Sequence, residues 1–287
     1  MIKPYFKLMK PGIIMGNLVY GLGGFFYASH STMVLPIFIG TMLGLIFIIG
    51  SACAFNNVYD MDIDSLMKRT QDRPMVKKEI GKQKALIFAT ILGVIGFACL
   101  WFLSSKTAFW AGLFAFFMYV VAYTMWTKRQ SVWGTFTGSL SGAVPVLVGY
   151  VAITDSITTE IIYIYLMCVI WQMPHSYGIA IFRLDDYKKA DINVLPVVKG
   201  LATTRNSIML HISAFVVLLS IFGYMGYMHP IGLLFILSLS LYWLFVAVFS
   251  FKEETQEKWA KKIFFQSIFI VVVLSLCLGF NGILIDL

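Results

Sequence analysis

Apolar residues run along this chain in long blocks separated by short polar stretches. A helix needs roughly 20 consecutive apolar residues to cross a bilayer. Nine blocks reach about that length, at residues 12–29, 35–57, 84–104, 108–126, 133–153, 160–182, 206–227, 230–250 and 263–284. The polar positions between them alternate in kind. Linkers after the second, fourth, sixth and eighth blocks hold Lys68 to Lys84, Lys128–Arg129, Arg183 to Arg205, and Lys252 to Lys262. The opposite linkers, His30–Met33, Asp155–Thr159 and Met228–His229, hold no Lys or Arg, and Lys106 is the single departure. Basic residues are retained on the cytoplasmic side of a membrane. The pattern therefore predicts an all-α integral membrane protein, a bundle of about nine transmembrane helices forming one polytopic domain over 1–287. Its N-terminus is expected in the cytoplasm and its C-terminus outside.

Composition agrees and removes other classes. With 59% hydrophobic and 13% charged residues and a mean hydropathy of +0.83, the chain does not read as a soluble globular domain. The net charge of +8 sits in loops between apolar blocks, so it marks topology and implies no nucleic-acid partner. Cys53, Cys99, Cys168 and Cys277 lie far apart inside apolar blocks with no Cys-x-x-Cys spacing, which argues against a disulfide framework or a zinc site. Lys3, Lys7 and Lys10 precede the first block like the basic end of a signal peptide. The length of that block and the number that follow make it a membrane helix instead. There is no Arg/Ser-rich transit segment, so a bacterial plasma membrane is the expected location, with lipid as the surrounding partner. Gly134, Gly138 and Gly142 recur at every fourth position, and Gly21, Gly23 and Gly24 cluster in the first block. Small residues so arranged let helices approach closely in lipid.

The candidate chemistry begins where the second block ends, in the stretch Asn56 to Pro74, NNVYDMDIDSLMKRTQDRP. Asn56, Asp60 and Asp64 are four apart and stack on one helical face, whereas Asp62 points elsewhere. Carboxylates at a bilayer boundary are costly and invite a functional explanation. Hard oxygen ligands suit Mg²⁺, which shares its shell with substrate phosphates. Lys68, Arg69 and Arg73 follow, and guanidinium forks match phosphate oxygens. This acidic ladder beside a basic cluster could hold a metal-bridged diphosphate; the other reading is a solvated helix end with i,i+4 ion pairs.

A second polar cluster runs from Trp171 to Pro196, WQMPHSYGIAIFRLDDYKKADINVLP. Gln172 and His175 fall inside the sixth block, where polar side chains need partners, and Pro174 loosens the helix there. Arg183, Asp185, Asp186, Tyr187, Lys188, Lys189 and Asp191 crowd its cytoplasmic exit. Carboxylates facing the first ladder would permit a second Mg²⁺ on the same diphosphate, or the charges simply solvate a loop. For His175 a packing role and a ligand role both stay open.

Taken together these residues resemble the intramembrane UbiA-type prenyltransferase superfamily and, within it, the protohaem IX farnesyltransferases (haem O synthases). The superfamily's first motif, N-x-x-x-D-x-x-x-D, stands as Asn56, Asp60 and Asp64. The continuation Asp64, Met67, Arg69, Thr70, Arg73, Pro74 resembles the D-x-x-M-x-R-T-x-x-R-P of that branch. Tyr123–Thr124 with Lys128–Arg129, Gly142–Ala143 with Pro145, Trp171–Gln172 with Pro174–His175, and Arg183 with Asp186–Tyr187 match its further segments in order. One segment departs. After Asp186–Tyr187 the branch has A-G-x-P-M, and this chain has Ala190, Asp191, Ile192, Asn193, Val194.

The resemblance implies transfer of a farnesyl group from farnesyl diphosphate to a vinyl group of haem B with addition of water, assisted by Mg²⁺. It implies Asn56, Asp60, Asp64, Asp186 and Asp191 as metal ligands, with Asp185 in reserve. Arg69 and Arg73 become catalytic, and Lys68, Lys128, Arg129, His175, Arg183 and Tyr187 bind substrate. Haem A synthase or a terminal oxidase assembly would be the protein partner. Another membrane prenyltransferase with a quinone or chlorophyll-type acceptor is the nearest alternative, and a non-catalytic haem carrier or transporter the next.

Overall fold

The structure, a computed structural model, describes residues 2–29, 34–252 and 255–285, with side chains omitted at 252 and 283–285. His30 and the rest of the linker His30–Met33 lie outside the described residues. Every regular element among the described residues is helical. The long ones are α1 (Pro11–Ser29), α2 (Leu35–Tyr59), α3 (Lys82–Leu103), α4 (Lys106–Gln130), α5 (Gly134–Thr154), α6 (Thr159–Phe182), α7 (Gly200–Tyr224), α8 (Pro230–Phe249) and α9 (Gln256–Ile285).

Seven of these, all but α1 and α6, are long and apolar enough to cross a membrane by length and composition. The other two are diluted by Asn17 and several glycines in α1, and by Glu160, Gln172, Pro174 and His175 in α6. The polar residues that lower their hydropathy include the ones the sequence marks as chemical. Helix α6 runs unbroken through Pro174.

One hydrophobic core threads the bundle, with Phe25, Ile161, Met167, Phe215, Trp243 and Trp259 fully buried within it. Helix α1 packs on α5 and α9, α2 on α3, and α6 on α7 and α9. The outward faces of α3, α4 and α8 carry Val94, Phe102, Trp110, Leu234 and Phe245, all exposed, as a lipid-facing surface requires. Close approach of α1 and α5 depends on missing side chains. A Cβ on Gly24 would run into the Val146 carbonyl oxygen, and one on Gly149 into the carbonyl oxygen of Gly21. Gly138 and Gly142 of the other stripe lie against Tyr123 and Gln172, so both stripes are packing surfaces.

Three local features shape the charged end. Helix α2 stops at Tyr59 and resumes as the short helix Met61–Leu66. Helix α4 changes to π-helical winding over Met118–Thr127. Helix α6 gives way to the short helices Leu184–Lys189 and Leu195–Val198. A further short helix, Ile2–Leu8, precedes α1 and buries Leu8 against Ala54 and Val58 of α2.

Candidate active site

The ladder forms as its spacing predicts, although the helix breaks through it. Asp60 sits between the two helices, yet its N–H still donates to the Asn56 carbonyl (2.9 Å) and the Asp64 N–H to the Asp60 carbonyl (2.8 Å). Asn56, Asp60 and Asp64 therefore stay in line. All three are at most 2% exposed. Buried carboxylates need partners, and basic residues drawn from across the chain supply them.

Lys128 and Arg129 reach Asp60, the guanidinium at 3.4 Å. Arg73 meets Asp64 Oδ2 at 2.5 Å. Asn56 Nδ2 donates to Asp60 Oδ2 (2.7 Å) and to Thr124 Oγ1 (3.0 Å). The π-winding of α4 brings Thr124, Lys128 and Arg129 to this point; a wider turn shifts the direction in which every later side chain points. The Lys128 N–H bonds the Tyr123 carbonyl five residues back in that winding.

Asp62 faces away from the ladder, as expected, and its side chain is 64% exposed. It nonetheless accepts both ends of the Arg129 guanidinium at 2.7 Å. That charged hydrogen bond holds the Asp62 carboxyl down at about 2. Arg129 also donates to the Tyr59 carbonyl (3.0 Å) and lies over the Tyr59 ring, 4.8 Å from its centroid. Asp62 thus orients the cation that faces Asp60.

The second loop meets the first through backbone and apolar contacts. The Lys68 backbone N–H donates to Asp186 Oδ1 at 3.0 Å, while the Lys68 side chain is exposed. Ile63 and Met67 of the first loop bury against Ala190 and Ile192 of the second, with Tyr187 packed alongside. Burial pushes the Tyr187 phenol upward, and Arg69, Lys128 and Asp186 all lie within its electrostatic reach. Arg69, Asp185 and Arg183 are exposed, and Arg183 rests over the Phe182 ring at 5.7 Å.

Asp191 takes a different place from the one its carboxylate invites. It is exposed, and its backbone is left-handed at φ 51°. It stands where the related segment has glycine, and aspartate is among the few side chains that tolerate this region. Asp186, by contrast, is buried between the loops.

Sequence reasoning missed Lys10. Its ammonium donates to Asn56 Oδ1 at 2.5 Å. Burial, together with the Arg73 guanidinium, pushes it down to about 7. The contact of Thr124 with Asn56 and the role of Asp62 were also missed. The signal for Lys10, a Lys-Pro pair opening the first apolar block, is too common to single it out.

The comparisons with known proteins bear on this geometry. The UbiA prenyltransferase family model matches residues 17–269. The chain belongs to the UbiA prenyltransferase family. It is 43% identical over 282 residues, 97% of this chain and 95% of its relative, to the protoheme IX farnesyltransferase of Cronobacter sakazakii. Two solved structures share the fold. One, from work on the biosynthesis of digeranylgeranylglyceryl phosphate synthase in membranes, has a TM-score of 0.80 at 16% identity and covers 98% of both chains. The other, a UbiA homologue from Archaeoglobus fulgidus bound to GPP and Mg²⁺, has a TM-score of 0.75 at 17% identity, covering 98% of this chain and 99% of that one. This UbiA-family chain is therefore a prenyltransferase, an all-helical multi-pass membrane protein.

Whether its residues fit a divalent cation can be tested on the side chains themselves. Among the described residues no three His, Cys, Asp or Glu side chains converge as a metal cluster. Asp60 and Asp64 are paired instead with cations of the chain. Asp64 Oδ1, however, is buried without a hydrogen-bond partner, and a buried carboxylate oxygen left so is costly. Asn56 Oδ1, Asp60 and Asp186 add further oxygen atoms along the same charged end. Oxygen donors are the type that Mg²⁺ takes.

His175 belongs to another part of this UbiA-family bundle. It lies two turns inside α6 from Arg183, about 12 Å along the axis. Its Nδ1 pairs with Ser267 Oγ of α9 at 2.8 Å, and its ring stacks on Trp171 (5.1 Å) and tilts on Phe264 (4.8 Å). Trp171 Nε1 donates to the Ser267 carbonyl at 2.9 Å. None of these contacts reaches the Asn56 ladder. Nearby, Tyr20, whose ring meets Trp171 edge-on at 5.6 Å, has a buried hydroxyl without a partner, and Gln172 Nε2 is likewise unpaired. The chain thus separates a charged end from an aromatic, sparsely polar interior.

Proposed function

We propose that the chain transfers the farnesyl group of farnesyl diphosphate to a vinyl group of protohaem IX, with addition of water, giving haem O and diphosphate. One observation carries the reading: a buried Asn/Asp ladder ringed by cations at the mouth of an apolar bundle, in a chain 43% identical to a protoheme IX farnesyltransferase. The charged end takes the diphosphate and the interior takes the two hydrophobic substrates, which can enter from lipid.

Asn56, Asp60, Asp64 and Asp186 would hold Mg²⁺. When bound, it offsets the charge that builds on the departing diphosphate. Arg73, Lys128 and Arg129 are already directed at the ladder and hold the leaving group as its carbon–oxygen bond breaks. The allylic cation left on farnesyl is attacked by the vinyl double bond. The new carbon–carbon bond places positive charge on the carbon beside the porphyrin, where water adds and loses a proton. Aromatic walls favour such cations by up to about 2 kcal/mol when desolvated. The stacked Trp171–His175–Phe264 group supports an acceptor position in the interior, with His175 orienting haem through iron or a propionate. Nine crossings with a cytoplasmic N-terminus, in a bacterial plasma membrane, fit the alternation of basic linkers.

The test uses purified protein in lipid with farnesyl diphosphate, haem B and Mg²⁺, and chromatography with mass detection. A haem product gaining one farnesyl group and one water, lost on chelation, is expected. No such product from protein that still binds farnesyl diphosphate would move the reading to another acceptor.

A further inference from the structure

Lys10 is not assigned by any motif, and the fold goes to some length to place it. It lies in the break between the short helix Ile2–Leu8 and α1, with a left-handed backbone at φ 53°. The residues beside it are fastened to α2. Leu8 is fully buried and its carbonyl accepts from Asn57 Nδ2 at 2.9 Å, while Met9 fills the space over Gly50. So pinned, the Lys10 side chain crosses to a residue 46 positions away.

The bond it makes there is selective. Asn56 commits both hydrogens of its amide nitrogen, to Asp60 and to Thr124. That orientation leaves Oδ1 as the end offered to a cation, and Lys10 occupies it. Arg73, Lys128 and Asp64 are all within electrostatic reach of the same ammonium. Lys10 therefore joins Arg73, Lys128 and Arg129 around the ladder, four cations facing Asp60, Asp62 and Asp64. Arg73, Lys128 and Arg129 each have a carboxylate partner, whereas Lys10 is held by a neutral amide oxygen, so a polyanion offers Lys10 a stronger, charge-assisted bond than the one it has.

Building on the diphosphate reading of this site, we propose that Lys10 is a further diphosphate-binding residue. In the substrate-free chain it holds the Asn56 oxygen; on loading it moves to a phosphate oxygen and releases Asn56 Oδ1 to the divalent cation. Lys10 then acts twice, as an occupant of a metal-ligand oxygen and as a clamp on the leaving group. No bond is made or broken in the exchange.

The two roles predict opposite effects of one substitution. In Lys10→Met the stem remains and the charge is gone. Binding of inorganic diphosphate with Mg²⁺, measured calorimetrically on the full chain in lipid, should weaken roughly 10- to 100-fold, the range of one charge-assisted hydrogen bond. Binding of Mn²⁺ alone, read by electron paramagnetic resonance, should tighten, because Asn56 Oδ1 no longer carries an ammonium. Lys10→Arg should retain diphosphate binding within a few-fold. Diphosphate affinity unchanged in Lys10→Met would overturn the proposal, and so would joint loss of Mn²⁺ and diphosphate binding, the mark of a structural role. If Lys10→Met does not fold, Lys10→Gln carries the same pair of measurements. Failure of the underlying reading looks different: wild-type protein would then bind no diphosphate, whereas wild-type protein that binds it but makes no farnesylated haem would fail only on the acceptor.

Discussion

Asp60→Asn separates the structural and chemical roles of the ladder. Asp60 is fully buried, and its partner Lys128 has a side chain only 13% exposed. Removing one member of a buried pair leaves the other charge uncompensated, at a cost of about 3–5 kcal/mol. Lys128 keeps some access to water, so the loss should sit near the lower end, about 3 kcal/mol. Turnover should fall further. Asparagine keeps the volume of Asp60 but neither charges a metal site nor holds Lys128 in position, and a drop of about 10³-fold, near 4 kcal/mol of barrier, is expected. The decisive partner is Asp60→Asn combined with Lys128→Met. With both charges gone and Arg129 still paired with Asp62, stability should return to within about 1 kcal/mol of wild type, while turnover stays down. Thermal unfolding in detergent follows the first quantity and formation of the farnesylated haem the second. Recovery of turnover in the double variant would refute the reasoning, since Asp60 would then serve only to neutralise Lys128.

Asp62→Ala should cost less than about 1 kcal/mol of stability, because the Asp62 end of its pair with Arg129 is mostly exposed. Turnover should fall only a few-fold as Arg129 loses its orientation, and complete loss would mean that Asp62 itself meets substrate. Because its carboxyl is held at about 2, the pair's contribution is present above the unfolded value near 3.9 and fades only as pH falls through about 2. The stability difference between Asp62→Ala and wild type should thus stay flat from pH 5 to 8. Asp191→Gly should keep full turnover, since glycine suits the left-handed backbone there, whereas Asp191→Val should lose about 1–2 kcal/mol of stability; loss of metal-dependent activity in the glycine variant would restore Asp191 as a ligand. Arg69→Ala should weaken diphosphate binding and spare haem binding, as titrations of each substrate would record, and equal losses would indicate unfolding instead.

The helical class, the packing stripes and the ladder were legible in the sequence because each rests on a local period. Apolar blocks of bilayer length, glycines every fourth residue and Asn56–Asp60–Asp64 keep their meaning whatever the rest of the chain does. Span edges shifted most in α7 and α9, where the helices continue past the apolar block into polar sequence at Gly200 and Gln256. Partner choice was not legible. Nothing local distinguishes Lys128, which pairs with Asp60, from Lys68, whose backbone rather than side chain joins the loops. The π-wound stretch that aims Lys128 and Arg129 packs against both α5 and α2, and a single-residue shift in winding leaves no periodic trace in ten residues.

The departure at residues 190–194 shows why a motif should be read as geometry before it is read as chemistry. An added carboxylate beside a metal site invites the inference of an added ligand. Ala190 and Ile192 instead bury against Ile63 and Met67, and Asn193 Nδ2 donates to the Arg129 carbonyl at 3.2 Å. Between them the chain must turn with positive φ, which glycine does at no steric cost and aspartate at little. The altered segment thus preserves the fastening of the second loop to the first, and to the residue that faces Asp60. Asp186 and Arg129 are thereby held beside the ladder. The chemistry of the site depends on that spacing, and residue 191 is expected to act on it through the backbone, which the Asp191→Gly variant tests.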